Sequence, residues 1–350
     1  MRMMAPRFLA AAWLCAMVWG VAPVRAADAV EDFYRGKTIS LWVGYGSGGG
    51  YDNTARLFAP HYGDYIPGKP RVVVQNVTGA GSLLAANNLY NVAPKDGSVI
   101  GLFSSTVAMM PLYGDQNAKF DTQKFGWIGN IHRDLHSCAV WRGAGQDIRT
   151  LQDLIAAKTT VVFGSDGGDA PLTRWALFMK NVLGANLKVV AGYKGTREIN
   201  LAMQSGEVGG SCGMFESTVR TAYLTDYQKG DLRLFVQTGY KRNAPFFGDA
   251  TNLYSLLKTE EEVQMARLVF GVNEITRPIT APPGVPPERL AALRKGFVAA
   301  MKDPRLIEDA RRMGLELDPM PADELISELD ALFRTPKEIV LKSSVATSTP

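Results

Sequence analysis

The residues best placed to do chemistry in this chain are glycines and small hydroxyls. They stand in clusters: Gly44-Tyr45-Gly46-Ser47-Gly48-Gly49-Gly50, Gly79-Ala80-Gly81-Ser82, Ser104-Ser105-Thr106 and Ser165-Asp166-Gly167-Gly168. Each cluster follows a short β-rich run and precedes a stretch of helical character. In an open α/β sheet that is the ligand-binding edge. The first N–H groups of a helix lack intrahelical acceptors, and the helix dipole adds partial positive charge there. Such turns suit the oxygens of a carboxylate or phosphate. Glycine matters because a Cβ would keep a ligand away from the backbone.

The parts needed for bond chemistry are sparse. Gly44 to Gly49 satisfies G-x-G-x-x-G between a strand and a helix, with Asp64 near the distance of a ribose-binding acid. The next strand, however, starts only near Arg71, and the leader described below directs the chain to a compartment where free nicotinamide is not expected. A nucleophile elbow needs G-x-S-x-G with a histidine and an acid. The three histidines, His61, His132 and His136, all lie outside the glycine turns and are expected on surfaces or at a hinge. No Cys/His cluster has zinc spacing and no acidic loop has calcium spacing. No cofactor and no metal are expected.

The elements that must position these turns form two series. Lys37–Val43, Arg71–Gln75 and Val99–Phe103 are strands, each followed by a turn and a helix. Trp127–Asn130, Ser137–Trp141, Thr160–Phe163, Lys188–Ala191, Gly210–Phe215 and Leu232–Gln237 are strands of a second series, with helices at Leu151–Ala157, Ala170–Val182 and Arg197–Ser205. Repeated strand–turn–helix units argue for α/β lobes, each a mostly parallel sheet flanked by helices. The expected boundaries are 27–129 plus 233–342 for a discontinuous first lobe and 130–232 for the second. Pro282-Pro283-Gly284-Val285-Pro286-Pro287 introduces a helix from Glu288 to Met301. The polar residues 343–350 are expected to form a mobile tail.

Composition sets limits. The chain has 350 residues, with 46% hydrophobic and 21% charged side chains, as in globular proteins. Arg2 and Arg7, the apolar run Phe8 to Val21, and Val24-Arg25-Ala26 form a secretory signal with a cut expected after Ala26 or one residue later. The run is shorter than the ~20 apolar residues of a spanning helix. Removing residues 1–26 takes away three arginines and no acid, so the net charge falls from +4 to +1. That balance does not call for a nucleic acid partner. Cys15 leaves with the signal. Cys138 and Cys212 remain, to pair as a disulfide or to stay as separate buried thiols.

The motifs, in order, resemble a known family. Gly46-Ser47-Gly48-Gly49-Gly50-Tyr51-Asp52-Asn53-Thr54-Ala55-Arg56 resembles the first loop and helix of the Bug (TctC-like) receptors, the extracytoplasmic solute-binding proteins of tripartite tricarboxylate transporters. Val72-Val73-Val74-Gln75-Asn76 with Gly79-Ala80-Gly81-Ser82, Ala93-Pro94-Lys95-Asp96-Gly97, Tyr193-Lys194-Gly195-Thr196 and Ala281-Pro282-Pro283-Gly284-Val285-Pro286 resemble further elements, from about Gly36 to Asp330. The resemblance implies a type II periplasmic-binding-protein fold with a ligand cleft between two lobes. It implies ligand contacts from Tyr45, Ser47, Gly48 and Gly49 in the first loop and Gly79, Ala80, Gly81 and Ser82 in the second. Ser104, Ser105 and Thr106 follow the third strand. Ser165, Asp166, Gly168, Asp169, Tyr193 and Thr196 would come from the second lobe, with Glu216 at the end of a further strand. Asp166, Asp169 and Glu216 depart from the family's small hydroxyls. Asp169 before Ala170-Pro171 also suits a helix N-cap, and Asp52 suits a cap better than a ligand contact.

The expected function is therefore capture of a small organic acid outside the cytoplasm, in the periplasm, by a monomeric non-enzymatic receptor for a tripartite tricarboxylate-type permease. An extracytoplasmic enzyme, or a sensor-input protein, using the same cleft is the alternative. Replacing Gly49 or Gly81 by a bulky residue is expected to abolish ligand binding with the fold intact. Calorimetry showing unchanged affinity would count against this site.

Overall fold

The computed structural model describes residues 26–348 apart from Gly49, Gly145, residues 168–170, Lys194, Gly195, Lys241 and Glu316. The expected signal sequence, residues 1–25, lies outside them. Among the described residues, twelve strands fall into two six-stranded sheets. The first holds β1 (Thr38–Val43), β2 (Arg71–Asn76), β3 (Val99–Leu102), β4 (Gly126–Asn130), β11 (Pro278–Ala281) and β12 (Met320–Pro321), in the order β12-β4-β11-β3-β1-β2. The second holds β5 (His136–Trp141), β6 (Val161–Ser165), β7 (Leu187–Ala191), β8 (Gly210–Phe215), β9 (Leu232–Gln237) and β10 (Thr251–Asn252), in the order β10-β9-β5-β8-β6-β7.

Alternation in β1 places Ile39, Leu41 and Val43 in the core, each fully buried. β3 lies between β1 and β11 and is buried along its whole length. Helices cover both faces of the first sheet. Leu57 and Phe58 of the helix Gly50–Tyr62 pack on one side with Phe297, and Leu83, Ala86 and Leu89 of the helix Leu83–Asn91 pack with Phe103 and Trp127 in a separate cluster. The sheets are mixed. β1, β2 and β3 run parallel, as do β6, β7 and β8, while β11 enters antiparallel to both β3 and β4, and β5 antiparallel to β8 and β9.

Two expectations about domain limits need correction. Leu232–Gln237, a strand of the second series in the sequence, is not cut from the second lobe by a boundary at 232. It pairs with β5 in the second sheet, and β10 extends that sheet as far as Asn252. The chain regains the first sheet only at β11. The tail from Ser343 is not a loose end either. The helix Lys337–Thr347 carries Ile339, Val340, Ser343 and Thr347 on one buried side. Asn181 Nδ2 donates to the Ala346 carbonyl at 2.8 Å, and Lys342 pairs with Glu261 at 2.6 Å. Spacing of three and four residues gives this polar segment one inward face, which its composition conceals.

Cys138 and Cys212 form a disulfide between the paired strands β5 and β8, deep in the second lobe's core. It closes a segment of 74 residues of sequence separation. Constraint of the unfolded chain by such a bond typically stabilises by about 2–4 kcal/mol. The double substitution Cys138→Ala and Cys212→Ala is expected to lower the unfolding midpoint in urea, with a loss of unfolding free energy in that range, without changing the circular dichroism of the folded state. A midpoint equal to that of the oxidised parent would show that the bond adds nothing.

Candidate functional site

The C-terminal ends of β1, β2 and β3 are tied together by backbone bonds. Gly44 N–H donates to the Leu102 carbonyl at 3.0 Å and Val77 N–H to the Val43 carbonyl at 2.8 Å. The turns that follow therefore converge at one end of the sheet. Their contact is close: a Cβ on Gly44 would lie 2.5 Å from Ser82 Oγ, so only glycine lets the second turn approach the first. That second turn is unusual. Gly79, Ala80, Gly81 and Ser82 all have positive φ, at 146°, 45°, 60° and 83°. For Ala80 and Ser82 this conformation costs on the order of 1–3 kcal/mol each. The turn is closed by Ser82 and Leu84 N–H groups on the Gly79 carbonyl, at 3.1 and 3.4 Å. Ser82 is buried, while Gly79, Ala80 and Gly81 stand open to solvent. A Cβ on Gly81 would meet nothing within 4 Å, so its replacement acts through backbone strain and through bulk in the cleft.

Asp52 organises the first turn. It is buried in the opening turn of the helix Gly50–Tyr62. Oδ2 accepts from Gly48 N–H and from Arg56 Nε, both at 2.8 Å, and Oδ1 accepts from Asn76 Nδ2 at 2.9 Å. The Arg56 hydrogen bond, joined by those from Gly48 and Asn76, outweighs burial and holds the carboxyl down to about 2. Asp52 thus ties the first loop, its helix and the end of β2, as its cap-like position suggested. Tyr45 stacks against Tyr51 with ring centroids 4.5 Å apart, and its carbonyl accepts from Asn76. Ser47 and Gly48 are exposed. Gly49 lies outside the described residues.

Several of the expected contact residues are already engaged within the fold. Ser104 caps the helix Ser105–Met109, accepting from Thr106 N–H, and its Oγ lies 2.7 Å from Thr106 Oγ1. Ser105 turns away and donates to the Val272 carbonyl at 3.0 Å. In the second lobe, buried Ser165 accepts from Thr173 Oγ1 at 2.6 Å, and Asp166 is exposed. Tyr193 donates its hydroxyl to Glu207 at 2.6 Å, which pushes the phenol up to about 12. Thr196 opens the helix Thr196–Ser205. Glu216 is clamped by Arg220, which approaches through Nε and Nη2 at 2.8 and 2.6 Å. Gly168 and Asp169 lie outside the described residues.

The polar groups that sequence reasoning missed lie where the chain crosses between sheets, at 131–135 and 274–277. Asp134 is fully buried. It accepts from Ser217 Oγ at 2.5 Å and Ser217 N–H at 3.3 Å, with His132 Nε2 at 3.8 Å and Arg277 Nη2 at 3.9 Å. Burial alone would raise its pKa, but His132, Arg277 and Ser217 together hold it below the usual carboxylate range. Thr276 Oγ1 accepts from Asp134 N–H and donates to the His132 carbonyl, joining the two crossovers directly. Arg277 lies over the Tyr51 ring at 4.3 Å, and a Cβ on Gly50 would sit 3.3 Å from its Nη2. Burial pushes the Tyr51 phenol up to about 12, against the opposing pull of Arg277. A cavity of about 370 Å³ opens beside this group, between Gly50 and Asn53 of the first lobe, His132 and Arg277 of the crossovers, and Ser217 and Thr218 of the second lobe. A lone arginine directly before a buried strand, Arg277-Pro278, was the signal available. Another cavity, of about 290 Å³, lies between Tyr240, Arg267 and Arg334; none of the expected contact residues that are described lines either cavity.

Such an arrangement can hold an anion between lobes. Among the described residues no group of three or more His, Cys, Asp or Glu is placed to hold a metal ion. Two histidines do fall near the crossovers, while His61 bridges Asp303 and Asp309 elsewhere in the first lobe. His136 is buried against Trp175, with ring centroids 3.9 Å apart, and neither ring nitrogen has a hydrogen-bond partner among the described residues.

A family model described as the tripartite tricarboxylate transporter family receptor matches residues 67–329. No curated protein matches significantly. Among solved structures, a TctC solute binding protein from Polaromonas has a TM-score of 0.65 at 18% identity, covering 88% of this chain and 99% of its own. The malate-bound MatC of Rhodopseudomonas palustris has a TM-score of 0.61 at 15% identity, covering 89% and 99%. An adipate-bound protein of R. palustris has a TM-score of 0.63 at 16% identity, covering 89% and 97%. These likenesses place the chain in the two-lobe periplasmic-binding-protein fold.

Burial holds the His136 pKa down at about 3, so the native state keeps this ring neutral where the unfolded chain protonates near 6.5. The unfolded state then binds more protons between those values, and stability is lost as pH falls from about 6.5 towards 3. The slope is about 1.4 kcal/mol per pH unit, or roughly 2 kcal/mol between pH 6.5 and 5. Urea unfolding at pH 7 and pH 5 should show this loss in the parent and a smaller loss in His136→Phe. Equal losses in both would place the acid sensitivity elsewhere.

Proposed function

Because the chain belongs to the tripartite tricarboxylate transporter receptor family, we propose that it is a periplasmic receptor that captures a small carboxylate between its lobes and presents it to a membrane permease of that transporter type. One observation carries this reading. The turns after β1, β2 and β3 converge at a single sheet end, directly beside the crossovers that lead to the second lobe.

The chemistry follows from that placement. The open turn Gly79–Gly81 and the first turn of the helix Gly50–Tyr62 offer backbone N–H groups and a positive helix end to a carboxylate. The second lobe supplies Asp166 and Thr196 at the ends of β6 and β7. A closing motion about the crossovers would exclude water from the bound acid and give the permease a shape that differs between empty and loaded receptor. Nothing in this description forms or breaks a covalent bond, in keeping with a binding rather than a catalytic family. Malate and adipate in two structurally similar proteins agree with a carboxylate as the class of solute.

Native mass spectrometry of protein purified without denaturation should show one small acid bound per chain, released on denaturing spray. Thermal-shift screening of dicarboxylates, tricarboxylates and aromatic acids should then raise the melting temperature with at least one of them. A ligand at 100 times its Kd stabilises the native state by about 2.7 kcal/mol. No shift with any acid of the three classes would refute the receptor assignment.

A further inference from the structure

We infer that the solute carries a cationic amino group at the end away from the carboxylate that the first-lobe turns hold, and that Asp166 of the second lobe receives it. This inference rests on the receptor reading and names the class of solute.

Several contacts put Asp166 on the side of the second lobe that meets the glycine turns. Glu216 N–H donates to the Leu135 carbonyl at 3.0 Å, so the end of β8 lies against the first crossover. The start of the helix Gly50–Tyr62 lies beside the second, where a Cβ on Gly50 would stand 3.3 Å from Arg277 Nη2. β6 runs parallel to β8, so its last residue, Ser165, and the Asp166 that follows share the β8 edge. The helix Pro171–Asn181 comes next, and its Arg174 lies over the Tyr113 ring, 5.0 Å from the centroid. Tyr113 belongs to the first-lobe segment that follows the turn Ser104–Thr106. The turn after β6 and the turns of the first lobe therefore border one gap.

The charges along that gap are unequal. On the first lobe, Asp52 is paired with Arg56 at 2.8 Å, and the turns that receive the carboxylate offer neutral N–H groups. On the second lobe, Glu216 is clamped by Arg220 at 2.6 Å, and Asp134 is held by Ser217, with His132 and Arg277 close by. Asp166 has no such counter-ion among the described residues. It is exposed, and its side chain accepts only from Ser165 Oγ, at 3.4 Å. The segment from Ser165 to Asp169 holds two acids and no base. Closing the lobes takes water away from Asp166, and a buried carboxylate needs a cation to replace that water. A second carboxylate on the solute would meet a like charge there, whereas an ammonium would pair with it. One unpaired acid thus attracts one class of solute and repels another.

The test is isothermal calorimetry of the mature chain at neutral pH, in the parent and in Asp166→Asn. The probes are 4-aminobutyrate and 5-aminopentanoate, the diacids of the same carbon number, succinate and glutarate, and the plain acids butyrate and pentanoate. At least one amino acid should bind roughly tenfold or more tightly than its matched diacid and plain acid, both of which still bind through the turns. Asp166→Asn should weaken that amino acid about 10- to 100-fold, the loss of one charge-assisted pair, and leave the diacid unchanged or tighter. Circular dichroism checks that the variant is folded, and the ranking in the parent decides independently of it. Diacids binding as tightly as the amino acids, an amino acid affinity unchanged in Asp166→Asn, or equal weakening of all six probes would overturn the inference and leave the receptor reading intact. Binding of none of the six while another acid binds would do the same, and failure of every acid to bind would remove both.

Discussion

The charges buried where the chain crosses between lobes, Asp134 and Arg277, are the constraint from which the joining of the lobes follows. Arg277 enters the first sheet at the start of β11, in one of the two crossovers between lobes. There it faces Tyr51 on one lobe's helix and shares Asp134 with Ser217 from the other lobe. Taking a guanidinium out of water is costly unless its hydrogen bonds are restored. The fold restores them in part. Asp134 remains ionised because His132, Arg277 and Ser217 outweigh its burial, yet it stands too far from Arg277 for a tight pair.

The crossovers also explain how the two lobes can act together. Asp134 and Thr276 come from different crossing segments and are hydrogen-bonded to one another, so the two segments are tied at this point. Nearby, Arg133 pairs with Asp318 at 2.6 Å, and Arg242 bridges Glu274 and Asp318 at 2.9 and 3.0 Å. These charges join both crossing segments to parts of each lobe. Arg174 of the second lobe also lies over the Tyr113 ring of the first, 5.0 Å from its centroid. The lobes therefore meet through polar, rearrangeable contacts, as suits a receptor that must open and close.

The glycine turns were legible in the sequence because their chemistry is local. A strand end, a glycine and a hydroxyl within a few residues specify both the bend and the donors. Asp52 was legible for the same reason: a short acid in the first helical turn has a nearby N–H to accept. The end of the second lobe was not, because no local pattern marks where the chain leaves that sheet, and only the pairings of β9 with β5 and of β10 with β9 decide. Ser105 and Tyr193 illustrate a second limit. Their residue types suit a ligand, but their hydroxyls are taken by Val272 and Glu207, partners found only through the tertiary fold. Arg277 and Asp134 lie far apart along the chain, and no local pattern connects them.

A crystal structure of the chain with the acid it retains on purification would examine the central claim most directly. The account predicts a carboxylate between the lobes, within hydrogen-bond distance of backbone N–H groups of the Gly79–Gly81 turn or of the first turn of the helix Gly50–Tyr62. Ligand density remote from these turns, on the outside of either lobe, would contradict it.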